Sequence, residues 1–188
     1  MKMVAFLDAS VLYPATMRSV LMYLAVAGTY RARWSAGVQD EWIAALARDR
    51  PDIDPERLER TRLLMDTRIP DAVVTGYEGL ISTLTLPDPN DRHVLAAAIQ
   101  GGADVIVTQN LKHFPAQALA PYEMAACCPD EFVLGLASEN PATVVAALAA
   151  DRARLRNPPM TPAEYLASLE HAGLVQTAAV LKAFEESL

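Results

Sequence analysis

The chain has 188 residues, 52% of them hydrophobic and 6% aromatic, with a formal net charge of −7 and a sequence pI of about 4.9. That length suits one domain, or one domain with a small appendage, and the high apolar content without a long charged tract speaks against disorder. The acidic balance counts against nucleic-acid binding by overall charge, but it leaves room for an acidic metal site that meets nucleic acid through a bound cation and a local basic patch.

Met3 to Leu7 is a short apolar run that stops at Asp8, and it reads as the first and central strand. Asp8 interrupts that run too early for a signal peptide, and no apolar stretch approaches membrane-spanning length. A cytoplasmic protein with no membrane partner is expected. Ala9 to Val11 turn the chain, and Pro14 suits the first turn of a helix running to about Ala27, with Val20, Leu21, Leu24 and Ala25 on its buried stripe. Tyr30 to Trp34 is a short link or strand carrying Arg31 and Arg33. Ser35 caps a second helix through about Arg48, with Trp42, Ile43, Leu46 and Ala47 inward and Glu41 on its first half. Pro55 to about Ile69 is a third, heavily charged helix that leaves Leu58, Leu64 and Met65 for the core.

Val73 to Thr75 is a short strand or bend, and Gly76 to Leu84 a short helix. The most informative stretch follows, LPDPNDRHVLAAAIQGGADVIVTQNLKHFP from Leu86 to Pro115. Pro87 and Pro89 keep its entry extended or turning. Asn90 or Asp91 opens a helix whose buried face carries Val94, Leu95, Ala98 and Ile99, and Gly101-Gly102 ends it. Val105 to Val107 is wholly apolar, as in a strand covered on both faces, with Thr108, Gln109 and Asn110 at its C-terminal end. Tyr122 to Cys128 reads as another strand. Cys127 and Cys128 are adjacent, so they supply neither a CxxC knuckle nor an ordinary framework disulfide. Pro129-Asp130-Glu131 starts a helix. A domain boundary is expected near Ser138, with an α/β domain over 1–138 and a helical extension over 139–188. In that extension Val144, Val145, Leu148 and Leu155 mark one helix. Asn157-Pro158-Pro159 breaks it, Thr161 and Glu164 form a capping box for the next, and Leu174 to Phe184 is the last.

Strands alternating with helices imply a parallel sheet with right-handed crossovers, and ligands bind such sheets at the C-terminal strand ends. Asp8 and the Thr108 loop then share one edge. Asp91, on the helix feeding that edge, can face them, Asp88 lies just before it, and Glu41 joins if its helix crosses the crevice. Three or four carboxylates around one pocket call for a cation, and hard oxygen ligands suit Mg²⁺ or Mn²⁺. The matching chemistry is metal-assisted hydrolysis of a phosphodiester. Each residue also has a plainer reading. Asp8 caps the following helix, Asp91 complements a helix dipole, Glu41 is a solvated charge, and Asp88, Ser10, Thr108 and Asn110 are turn and cap residues. His93 and His113 are structural or exposed.

At these residues the sequence resembles the PIN-domain family, in particular the VapC-type ribonuclease toxins of bacterial toxin–antitoxin pairs. The resemblance rests on FLDASVLYPA (Phe6–Ala15), QDEW (Gln39–Trp42) and the Leu86–Pro115 stretch, and it covers about Met3 to Ser138. The segment after Ser138 is similar to the helical extension of one subgroup. The resemblance implies a three-layer α/β/α fold with a short parallel central sheet and a C-terminal helical extension. It implies a Mg²⁺-dependent endoribonuclease, an RNA substrate, a small cognate antitoxin and frequent homodimerisation. The family's acids match Asp8, Glu41 and Asp91, as metal ligands and catalytic groups, supported by Ser10, Asp88, Thr108 and Asn110. Asn110 stands where the family often has Asp, and His113 replaces a further acid, a departure that thins the acidic cluster. Arg18, Arg31, Arg33, Lys112 and His113 are the candidate contacts to RNA phosphates. The rival readings are a catalytically silent PIN-like module that binds protein or RNA, and a phosphotransferase of the haloacid-dehalogenase type. The latter needs a second Asp where Ser10 stands.

Overall fold

The structure is a computed structural model that describes residues 2–188. In chain order the strands are β1 (Val4–Leu7), β2 (Arg31–Ser35), β3 (Val73–Val74), β4 (Val105–Val107) and β5 (Ala125–Cys127). The helices are α1 (Ala9–Leu12), α2 (Ala15–Val26), α3 (Ala36–Asp49), α4 (Pro55–Arg68), α5 (Glu78–Ile81), α6 (Arg92–Gln100), α7 (Ala116–Leu119), α8 (Pro129–Glu139), α9 (Pro141–Ala153), α10 (Pro162–His171) and α11 (Val175–Leu181). Two compact units result. One holds the chain up to Tyr13 together with Arg31–Cys128; the other holds Pro14–Tyr30 and Pro129–Leu188.

The first unit carries the sheet, in the order β3-β2-β1-β4-β5, every pair parallel. The α/β class, with a short parallel sheet flanked by helices and followed by C-terminal helices, agrees with the sequence reading. β1 is central because it can be. Ala5, Phe6 and Leu7 have no exposed surface, and such an apolar run tolerates cover on both faces. Leu7 pairs with Val107, and Val107 with Cys127, so the chain leaves β1 and β4 side by side. The strand order reverses between β2 and β4 on either side of β1, which creates the crevice where ligands bind open α/β sheets. α6 packs on β2 and β4, and Gly101 at its C-terminus permits the approach: a Cβ there would lie 2.8 Å from a Val74 methyl carbon.

Several packing details differ from the sequence reading. On α3 the buried residues are Val38, Gln39 and Trp42, while Ile43 and Leu46 are half-buried and Ala47 is exposed. Gln39 is buried because it is a connector. Its Oε1 accepts from Trp42 Nε1 at 2.6 Å, and its Nε2 donates to Asp66 Oδ1 at 3.2 Å. Asp66 also accepts from Trp34 Nε1 at 2.9 Å, so α3, α4 and β2 share one polar pin. Leu64 is 60% exposed rather than in the core, since Leu58 and Met65 already fill the inner face of α4. On α6 Ile99 is only half-buried, and Ala96 and Ala97 are buried instead. The last strand is shorter than expected: Tyr122 belongs to a 3₁₀ turn, and only Ala125–Cys127 pairs with β4.

The second unit is helical. α2 packs on α9, α8 on α9 and α11, and α10 on α11. Tyr30 is 2% exposed; its hydroxyl donates to the Leu21 carbonyl at 3.0 Å, and its ring meets Phe132 edge-on at 4.9 Å. The capping box is present at α10, with Thr161 and Glu164 bonding each other's backbone N–H. The final helix ends at Leu181, and 3₁₀ turns follow through Ser187.

Candidate functional site

Asp8 follows the last residue of β1 and is 6% exposed. Its backbone N–H donates to the Val107 carbonyl at 3.1 Å, which extends the β1–β4 ladder by one step. Its Oδ1 accepts from the Ala9 N–H at 2.8 Å and so caps α1. Its Oδ2 accepts from Ser10 Oγ at 2.6 Å and from Thr108 Oγ1 at 2.7 Å. The plain reading of Asp8 as a cap therefore holds, and it does not exhaust the residue. Four donors and acceptors from two strand ends converge there, since Ser10 Oγ also accepts from the Gln109 N–H and Thr108 Oγ1 from the Asn110 N–H, each at 3.0 Å. Ser10 and Thr108 thus fix the Asp8 carboxylate in one orientation. Asn110 takes part through its backbone, and the residue is exposed.

Asp91 sits at the N-cap of α6, after a 3₁₀ turn that Asp88 caps through its bond from the Asn90 N–H, 2.9 Å. Pro89 supplies the first position of that turn and needs no N–H partner there. His113 ends another 3₁₀ turn, which follows β4, with its N–H bonded to the Asn110 carbonyl. Phe114, 2% exposed, anchors that turn in the core. The two turns bring His113 Nδ1 to 2.6 Å from Asp91 Oδ2. One ligand atom from each of Asp88, Asp91 and His113 lies within 4.8 Å of the others, and all three residues are half-buried. Burial raises the pKa of Asp91, opposed by the His113 hydrogen bond and reinforced by the negative charges of Asp8 and Asp88. Carboxylates in the crevice are therefore close enough to repel.

Glu41 lies on α3, outside that group of three. Its Oε1 is 2.7 Å from His93 Nε2, two residues beyond Asp91. The bond to Glu41 raises the His93 pKa, burial opposes it, and Asp8 and Asp91 add to it. His93 therefore links Glu41 to the same acidic field. Against the expectation of a structural His93 and a phosphate-contacting His113, each histidine sits beside an acid. The one available signal was position: each histidine stands two or three residues from a crevice residue, in DRH and NLKH.

The expected phosphate contacts are dispersed. Lys112 is exposed and, with His113, Pro87, Asp88 and Pro89, lines a groove of about 380 Å³ over the cluster. Arg31 is exposed at the start of β2. Arg33 donates to the Asp71 carbonyl at 2.6 Å, and burial lowers its pKa. Arg18 lies on α2 in the second unit, where burial and nearby Arg154 lower its pKa to about 10. The donor set fits a divalent cation: two carboxylates and an imidazole within reach of one coordination sphere, in a field made more negative by Asp8.

Fold and crevice together define an α/β protein with an acidic cluster at the C-terminal edge of a parallel sheet. Residues 4–112, over half of the chain, match the family model of the PIN domain, and the chain belongs to that family. Residues 129–183 match the model described as the VapC50 C-terminal domain. A curated relative named "Putative ribonuclease VapC50", from Mycobacterium tuberculosis (strain ATCC 25618 / H37Rv), is 52% identical over 63 residues, which cover 34% of this chain and 37% of the relative. The matched region thus spans little more than a third of that relative's length. No solved structure matches the chain significantly.

Proposed function

We propose that the protein is a divalent-metal-dependent endoribonuclease, the toxin of a VapBC-type pair, acting in the cytoplasm and held in check by a cognate antitoxin. The observation that carries this reading is the crevice where β1 and β4 end: Asp8 and Asp88 lie close enough to Asp91 to oppose its ionisation. Carboxylates crowded in this way are stable together when a cation lies between them. Membership of the PIN family and the name of the relative support the same reading.

Asp8 and Asp91 would hold Mg²⁺ or Mn²⁺, and Glu41 would act as a further ligand or orient the attacking water. When bound, the ion supplies Lewis acidity toward a phosphodiester and a water of lowered pKa. Ser10 and Thr108 hold the Asp8 carboxylate in one orientation, so little rotamer freedom is lost on binding. Asp88 holds the turn that presents Asp91. Lys112 gives the groove a positive charge for the RNA backbone, while Arg31 and Arg33, on β2, and Arg18, in the second unit, are separate candidates for phosphate contact. Asn110 orients a water or phosphate oxygen, and homodimerisation extends the RNA-binding surface. Residues 1–138 constitute the nuclease part and 139–188 the helical extension.

The test is cleavage of a cellular RNA pool by antitoxin-free protein, in Mg²⁺ or Mn²⁺ and in EDTA. Discrete fragments that vanish with EDTA and in Asp8→Asn and Asp91→Asn are expected. Folded protein that cleaves nothing and binds no divalent ion in calorimetry would point to a silent binding module.

A further inference from the structure

We propose that His113 is a nitrogen ligand of the crevice ion, and that this chain's site selects a first-row transition ion such as Mn²⁺ or Co²⁺ over Mg²⁺. The inference rests on the metal-nuclease reading above and names which ion serves it.

The sequence reading took His113 as the loss of an acid and hence a thinner cluster. The geometry points the other way. Nδ1 of His113 is hydrogen-bonded to Asp91 Oδ2 at 2.6 Å, close to the roughly 3 Å between neighbouring ligand atoms of a small divalent ion, and Asp88 completes a set within 4.8 Å. The three residues come from two pieces of backbone, the Asp88–Asp91 turn and the turn after β4 that ends at His113, and each piece is fixed without help from the other. Asp88 caps the turn Pro89–Asp91, Asp91 follows in that turn with its N–H bonded to the Asp88 carbonyl, and His113 is set by its own N–H bond to Asn110 and by buried Phe114. An ion pair alone would need only His113 and Asp91, yet a third carboxylate is held beside them. The groove lined by Pro87, Pro89 and Lys112 reaches the same spot, so the set has an entry path and a neighbouring cation for a substrate oxygen.

Donor chemistry decides the ion. Mg²⁺ takes oxygen ligands in a strict octahedron and sheds water reluctantly, whereas imidazole suits first-row transition ions and stabilises them increasingly from Mn²⁺ onward. An imidazole added to the crevice carboxylates therefore favours Mn²⁺ and Co²⁺. Replacing His113 by aspartate restores an all-oxygen set and narrows the advantage of Mn²⁺ and Co²⁺ over Mg²⁺.

The experiment is calorimetric titration of the full chain with Mg²⁺, Mn²⁺ and Co²⁺ for wild type, His113→Asp and His113→Asn, with the visible spectrum of the Co²⁺ forms. Circular dichroism identifies variants that fold. Wild type should bind Mn²⁺ about tenfold or more tightly than Mg²⁺ and Co²⁺ more tightly still, in line with the ligand preferences of these ions. His113→Asp should narrow that ratio, His113→Asn should weaken Co²⁺ most, and both should shift the Co²⁺ bands. An unchanged Mg²⁺:Mn²⁺ ratio and an unshifted Co²⁺ spectrum in either folded variant overturn the inference and leave the metal-nuclease reading intact. Absence of any ion binding in wild type overturns both.

Discussion

In the second unit, Asp151 is 2% exposed and accepts from Tyr165 Oη at 2.7 Å, from Arg154 Nε at 2.8 Å and from Ser19 Oγ at 2.5 Å. Asp130, 8% exposed, accepts from the N–H groups of Gln176 and Thr177, at the start of α11, and from the Thr177 hydroxyl. In the first unit, Asp8 is just as buried and has three donors of its own. Counting hydrogen bonds does not separate these acids. The sign of the charge nearby does. Asp151 has a guanidinium and Asp130 the positive end of a helix, while Asp8 and Asp88 crowd Asp91, whose His113 partner offsets that crowding only in part. A carboxylate compensated within the fold is part of the scaffold. Carboxylates that repel leave a demand for positive charge that something outside the chain must meet, which is why the crevice rather than Asp151 is the candidate site.

The largest expected effect breaks the comparison at Asp8. Asp8→Asn keeps the size and most of the local bonds but removes the charge. Under the proposed reading it lowers RNA cleavage on the order of a hundredfold to a thousandfold, as loss of a preorganised electrostatic group does. Cleavage rates measured on protein with an unchanged unfolding midpoint check this. A loss of stability without loss of rate would return Asp8 to the scaffold class. Asp151→Ala is the mirror experiment. It leaves the buried Tyr165 hydroxyl without its acceptor, while half-exposed Arg154 turns to water, and it should cost about 1–3 kcal/mol in urea unfolding, typical of a buried donor left unpaired. Cleavage per folded molecule should not change.

A third test supplies the missing charge. At a divalent-ion concentration about one hundred times Kd, wild type should gain about 2.7 kcal/mol of stability, and Asp91→Asn should gain little. Thermal unfolding with and without EDTA reads the difference. Equal gains in both proteins would detach the ion from the crevice.

Much of this contrast was legible in the sequence. MVAFL stopping at an acid located Asp8, and the Leu86–Pro115 stretch located Asp91 and Thr108, because strand ends and helix starts leave local marks. What escaped was set by distant partners. The bond from Gln39 to Asp66 makes a polar residue on α3 a core residue, and no periodicity announces it. Likewise, His113 looked like a lost acid because its meeting with Asp91 depends on two turns 22 residues apart. Ser19 and Asp151 are 132 residues apart, so the packing of α2 with α9 leaves no local trace either.

The smallest expected effect tests the rule on an exposed carboxylate. Glu164 accepts from the Thr161 N–H at 2.8 Å and the Thr161 hydroxyl at 2.9 Å, and no other carboxylate shares that cap. It should therefore behave as scaffold. Thr161→Ala removes the reciprocal bond to the Glu164 N–H and should cost about 1 kcal/mol, the usual worth of a helix N-cap. The bonds from Thr161, backbone first, hold the Glu164 pKa below its ordinary value. A carboxylate depressed on folding contributes stability that is fully present above its unfolded pKa and is lost as pH falls through the folded one. The stability difference between wild type and Glu164→Gln should thus be constant near neutrality and shrink once the pH drops below about 4.3, the ordinary glutamate value. Urea unfolding of the two proteins across that range measures it. A difference that stays constant into the acid range would mean that Glu164 acts through packing rather than charge, and that accepting hydrogen bonds does not by itself make a carboxylate part of the electrostatic scaffold.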